Sequence, residues 1–152
     1  MRFYHLSSLL LIILFLLSAC VQTASPPPVT PPARPQVGKT TVIGRALDKK
    51  TGQPLANRVL RLGEVVRKEG GGEDEGIFVM RASQSPGART DANGYFIFEN
   101  VEAKEYVLLI EVVVDSRYSA AKGDNDKPFR WQTEAGKVLD LGNIYFGMEE
   151  PQ

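Results

Sequence analysis

The residues able to do chemistry are few and poorly placed for catalysis. The 152-residue chain has one histidine, His5, and one cysteine, Cys20, both near its N-terminus. A single thiol closes no internal disulfide. If the N-terminal segment is removed, as argued below, the mature chain keeps neither an imidazole nor a free thiol. Ser-His and Cys-His nucleophilic sites, histidine bases and the usual zinc sites are then excluded. The 18 acidic residues supply carboxylates, but no spacing pairs two of them for acid–base work. Asp91-Ala92-Asn93-Gly94 looks like a fragment of a calcium loop. A complete loop needs further ordered oxygens and a closing glutamate, and Phe96-Ile97-Phe98 stands there instead. Asp115, Asp124 and Asp126 could add oxygens from elsewhere, but their spacing fixes no geometry. Gly70-Gly71-Gly72, in a charged stretch, lacks the Gly-Lys-Ser/Thr ending and the strand–helix context of a phosphate loop. No metal, no cofactor and no enzymatic activity are expected.

Recognition chemistry is better represented. Lys127-Pro128-Phe129-Arg130-Trp131 sets the only tryptophan beside arginine and phenylalanine in a polar stretch, with Tyr118 upstream. Tyrosine, tryptophan and arginine are the types that anchor interfaces, and aromatic faces also stack on sugars. Tyr118, Phe129, Arg130 and Trp131 are therefore candidate contacts for a protein partner or a glycan. The alternative is that Phe129 and Trp131 cap an open end of the core. With 18 basic and 18 acidic residues the net charge is zero, which gives no electrostatic case for nucleic acid.

The elements that would carry these residues begin with an address. Met1-Arg2-Phe3-Tyr4-His5 leads into an apolar run to Leu17, then Ser18-Ala19-Cys20. A short basic start, an apolar core and small residues before a break make a secretory signal. The run is shorter than the roughly 20 residues of a membrane span. Leu17-Ser18-Ala19-Cys20 resembles the bacterial lipobox at every position. That resemblance implies cleavage between Ala19 and Cys20 and a diacylglycerol on the Cys20 sulfur, with the amine acylated in most Gram-negative bacteria. Two or three acyl chains, at about 0.8 kcal/mol per buried methylene, make a stable anchor. In enterobacterial lipoproteins an aspartate after the lipidated cysteine retains the protein at the inner membrane; Val21 stands there instead, so the resemblance implies the outer membrane. Removal of residues 1–19 takes Arg2 with it, leaving 17 basic against 18 acidic residues.

Residues 21–36 hold six of the ten prolines. Proline biases its neighbours away from helix, so this is an extended spacer reaching roughly 50 Å. The expected division is a signal peptide over 1–19, a lipidated cysteine and Pro-rich tether over 20–37, a domain over 38–148 and a tail over 149–152.

From residue 38 onward the pattern is short strands with turn punctuation. Thr40–Leu47 is a β-branched run ending at a turn, and Leu60 and Leu62 alternate with Arg61. Ile77–Met80 is a further apolar run. Phe96 and Phe98 alternate behind the Asp91–Gly94 turn. Glu105–Val114 is apolar on both faces, which predicts a central strand whose outer face is covered. Val138–Phe146 is the last strand. About seven strands predict an all-β, antiparallel two-sheet sandwich.

The residues then suggest a family. Gly44-Arg-Ala-Leu-Asp48-Lys-Lys-Thr51-Gly52-Gln-Pro54-Leu55 resembles the opening of the carboxypeptidase regulatory-like domains, a transthyretin-like group of β-sandwiches. Thr90-Asp91-Ala-Asn-Gly94-Tyr-Phe96-Ile-Phe98-Glu-Asn-Val101, followed by Tyr106-Val-Leu108, resembles their second signature. Leu141-Gly142-Asn143-Ile144 fits the usual ending. Ala46 replaces a customary valine and Lys104 a turn glycine. The resemblance implies fold rather than function. Transthyretin-like enzymes that hydrolyse a purine breakdown product depend on histidines, which the mature chain lacks. Collagen-adhesin B-type repeats, a related group, lock themselves with a Lys–Asn isopeptide bond, and Lys39 and Asn143 could be cast in those roles. Lys39, however, lies outside the apolar run, where its amine stays protonated.

The sequence thus predicts a lipid-anchored, non-catalytic module of a bacterial cell envelope that docks a protein partner. The alternative is a carbohydrate-binding module working through the aromatic stretch around Trp131.

Overall fold

Nine strands in two sheets make up the described part of the chain, and no helix occurs there. The computed structural model describes residues 32–72, 76–81, 83–112, 117–123 and 126–147. Ala19, Cys20 and most of the Pro-rich stretch lie outside them, as do Asp115 and Asp124. The strands are β1 (Lys39–Asp48), β2 (Val59–Val66), β3 (Ile77–Val79), β4 (Gly87–Arg89), β5 (Tyr95–Glu102), β6 (Glu105–Val112), β7 (Arg117–Ala120), β8 (Arg130–Gln132) and β9 (Val138–Phe146).

One sheet runs β5-β1-β9; the other runs β3-β2-β6-β7, with β4 also on β2 and β8 also on β6. β3 and β4 pair opposite halves of β2, at Glu64–Val66 and Val59–Arg61. β7 and β8 likewise divide β6, at Leu109–Val112 and Glu105–Val107. The nine strands therefore occupy seven rows, two of them interrupted by loops. The architecture is the all-β sandwich that the sequence predicts. One pairing departs from the antiparallel rule: β9 runs parallel to β1, from Thr41 opposite Val138 to Asp48 opposite Phe146.

The core is built from alternate residues of both sheets, as the period of a strand requires. Val42, Phe96, Phe98 and Phe146 face Leu60, Leu62, Leu108 and Ile110, all buried. Phe96 and Phe98 meet edge to face, with ring centroids 5.7 Å apart. β6 is apolar on both sides, as expected, and Val107 and Leu109 are as buried as the core residues between them. Phe78 packs over Gly63 beside Leu109 on that outer side. Arg61 stands opposite Leu109, and Arg130 opposite Val107. Their aliphatic stems complete the cover.

The two signature segments interlock. Ala46 N–H donates to the Gly94 carbonyl at 2.8 Å and Leu55 N–H to the Ala46 carbonyl at 3.0 Å. Gly94 has φ +83°, and a β-carbon there would lie 2.5 Å from the Ala46 oxygen. The turn therefore needs a residue with no side chain. Asp48 Oδ1 accepts from Lys50 N, Thr51 N and Thr51 Oγ. The Thr51 backbone N–H holds its carboxyl below the usual aspartate range, assisted by the Thr51 hydroxyl and Lys50. Asp48 with Gly52, and Asp91 with Gly94, build turns.

Candidate binding face

In the Lys127–Trp131 stretch the aromatic side chains turn toward the core. Trp131 on β8 stands opposite Tyr106 and is only 8% exposed. Phe129 packs half-buried against it, with ring centroids 5.7 Å apart. Arg130 points to the other side of β8, where its Nη2 donates to the Gly76 carbonyl at 3.1 Å. Tyr118 on β7 stands opposite Glu111, whose position along β6 puts it on the side of Val107 and Leu109. Tyr118 and Trp131 thus occupy opposite faces of the sheet, about 16 Å apart along β6. The structure joins Phe129 to Trp131 as a cap on the core. It does not bring Tyr118 onto the same surface.

Other sequence-derived candidates also resolve. Asp91 Oδ1 accepts from Asn93 N and Tyr95 N, both at 2.8 Å, and so closes its own turn. Asp126 pairs with Lys122. The Lys39 ammonium pairs with Glu102, whose carboxyl it holds below the usual range. Asn143 lies opposite Arg45, six residues further along β1, or about 20 Å away. Lys39 and Asn143 are therefore too far apart to cross-link.

A different surface gathers recognition chemistry. β1 alternates between the core (Val42, Gly44, Ala46) and the outer side (Ile43, Arg45), and register fixes what joins the outer set. Ile43 faces Ile97, and Arg45 faces Tyr95, on β5. On β9, Asp140 faces Ile43, Asn143 faces Arg45 and Tyr145 faces Leu47. Tyr95, Ile97, Val138 and Tyr145 are all exposed, and all lie on this outer side of the three-stranded sheet. Exposed aromatic and aliphatic side chains gathered with polar ones on one sheet face mark a candidate contact surface.

Arg45 is fixed at its centre. Its Nε donates to the Asn93 carbonyl at 2.8 Å, and its guanidinium carbon lies 5.2 Å from the Tyr95 ring centroid. Among the described residues it has no carboxylate partner, and its two Nη groups make no hydrogen bond. Asn143 beside it is exposed and likewise makes no side-chain hydrogen bond among the described residues. Two strand spacings across and two residues along put the α-carbons of Tyr95 and Tyr145 about 12 Å apart on this face. Sequence reading passes over Tyr95 because Phe96 and Phe98 account for β5 as a core strand. The signal was present: Tyr95 and Ile97 make the other face of the same strand apolar too.

No protein-family model and no curated protein matches the chain. Among solved structures, a proposed carbohydrate-binding protein of Pseudomonas aeruginosa aligns at 14% identity and TM-score 0.45, over 75% of this chain and 92% of that one. The major pilin subunit of Bacillus cereus aligns at 12% identity and TM-score 0.44, over 73% of this chain and 30% of that one. A proposed carbohydrate-binding protein of Bacteroides uniformis aligns at 11% identity and TM-score 0.37, over 70% and 41%. Likenesses of this size assign neither a family nor a function.

Proposed function

We propose that this chain is a non-catalytic, lipid-anchored module of a bacterial cell envelope that binds carbohydrate on the outer face of the β5-β1-β9 sheet. The observation that carries the reading is the pairing of Tyr95 and Tyr145 about a braced Arg45 and a free Asn143. A pyranose presents an apolar C–H face to an aromatic ring and hydroxyls at its rim. This surface offers rings and, between them, amide and guanidinium groups for the rim. The Leu17–Cys20 lipobox and the prolines after it support the anchor, and the two signature segments support kinship with the carboxypeptidase regulatory-like domains. The glycan surface is the sheet face rather than the aromatic insertion, because Trp131 is buried.

Affinity electrophoresis of the full chain in detergent against a panel of polysaccharides tests the reading. Retardation by at least one glycan, lost in Tyr145→Ala and kept in Trp131→Phe, is expected. No retardation by any of them overturns it. A second reading, a protein partner docked on the same face, is favoured by the exposed aliphatic groups of Ile97 and Val138. A photo-cross-linker at Ile97 that captures one dominant envelope protein in cells supports that reading instead. The anchor has its own test: Cys20→Ser should move the protein from the membrane to the soluble fraction.

A further inference from the structure

We infer that the face selects acidic sugars, with Arg45 as the receptor for the carboxylate of a uronic acid. The inference rests on the carbohydrate reading above and adds a charge requirement to it. A planar guanidinium recognises a carboxylate through two parallel N–H···O bonds, and each is stronger than a bond between neutral groups. Arginines near carboxylates usually spend that fork within the protein. Arg45 spends only Nε, on the Asn93 carbonyl, and rests against Tyr95, which leaves both Nη groups without a hydrogen bond among the described residues. Its side chain is immobilised before any ligand arrives, so little further ordering is needed on binding.

The surrounding charges leave the fork available. Asp91 gives an oxygen to Asn93 N and Tyr95 N, and Asp140 gives one to Gly142 N at 2.8 Å. Neither forms an ion pair with Arg45. Lys39, at the far end of β1, pairs with Glu102. In the middle of the face Arg45 is therefore a cation with no ion-pair partner among the described residues, set between apolar rings, with Asp140 the carboxylate on the neighbouring strand. Tyr145 lies one strand over and two residues on, about 8 Å away between α-carbons. A pyranose stacked on Tyr145 would hold the carboxylate on its rim within reach of the Arg45 fork, with Asn143 beside its hydroxyls.

The test uses one glycan in two charge states. Oligogalacturonate and its methyl ester share every ring and hydroxyl and differ in the carboxylate. Calorimetric titration of the full chain in detergent should give binding of the acid, weakened about tenfold or more by esterification and equally by Arg45→Gln. Arg45→Lys keeps the charge without the fork and should also weaken binding. Tyr145→Ala should weaken acid and ester alike. Matching amide NMR spectra for wild type and Arg45→Gln would establish that the fold is intact. Equal affinity for acid and ester, or no effect of Arg45→Gln, overturns the carboxylate inference and leaves the carbohydrate reading standing. No binding of either form, or of neutral glycans, overturns both. Binding of poly-glutamate as tight as that of the uronate would mean that a protein carboxylate is the ligand, and it overturns the sugar assignment.

Discussion

Gly44 on β1 lies directly beneath the ring of Phe96 on β5, so close that a β-carbon at residue 44 would sit 2.7 Å from Phe96 Cζ. The contact joins the two signature segments through the core. On its other side the same β-carbon would be 3.2 Å from the Gly142 carbonyl, on the backbone of the neighbouring row. Gly44→Ala must push the ring away from its edge-to-face contact with Phe98. A cost of about 1–3 kcal/mol is expected, as for overpacking elsewhere. A fall in denaturation midpoint checks it, and Phe96→Leu should recover part of the loss by vacating the space.

Trp131 yields opposite outcomes for two substitutions. Its indole N–H is buried and meets no acceptor among the described residues. Replacement by alanine removes a core-filling ring beside Phe129 and should cost about 3–5 kcal/mol. Phenylalanine removes the unsatisfied N–H, which itself costs about 1–3 kcal/mol, and loses some packing. Trp131→Phe should therefore be far milder than Trp131→Ala, within about 1.5 kcal/mol of wild type. Urea unfolding of both variants would decide it; equal losses would show that the ring size, and not the N–H, governs the site.

Much of this fold is legible where side chains repeat with a clear period. β1 follows from its β-branched run, and β6, with its two-sided burial, from the apolar residues Tyr106 to Ile110. The short strands are less visible, because Gly87–Arg89 and Arg130–Gln132 hold three residues each and no pattern survives at that length. The parallel pairing of β1 and β9 depends on how the intervening rows close the sandwich, a property of no local segment. The binding face illustrates a different limit. Residue type points to Trp131, but burial is decided by register, and Trp131 is paired with inward-facing Tyr106. Tyr95 escaped because period-2 alternation reveals that two faces are apolar without saying which one is covered.

Acid stability should depend on Glu105. Its carboxylate accepts from both Nη groups of Arg67, Nη2 at 2.8 Å, and that hydrogen bonding holds it below the ordinary glutamate value despite partial desolvation. A depressed folded-state value means stability that is present above the unfolded value, about pH 4.3, and lost as pH falls through the folded one. Glu105→Gln should cost about 1–2 kcal/mol near neutral pH, where the charged bond is intact. Near pH 3 the difference should shrink. Urea midpoints of both proteins across that range check the sign, and a gap that widens on acidification would refute it.

Alkaline stability should depend on Tyr106, for the converse reason. Burial pushes its phenol up to about 12, reinforced by the charges of Glu64 and Glu102. The hydroxyl donates to the Glu102 carbonyl at 3.2 Å, a bond that only the neutral form can make. A folded value above the unfolded one, about 10, means that the contribution is complete below about pH 10 and is lost as pH rises toward about 12. A tyrosinate absorbance titration should show one phenol ionising near 12, and Tyr106→Phe should remove that phase. The variant should also lose about 0.5–1.5 kcal/mol at neutral pH with the missing hydrogen bond, and resist alkali better relative to its own neutral stability. An unchanged titration in Tyr106→Phe would place the high-pH phenol elsewhere and leave the alkaline loss to another group.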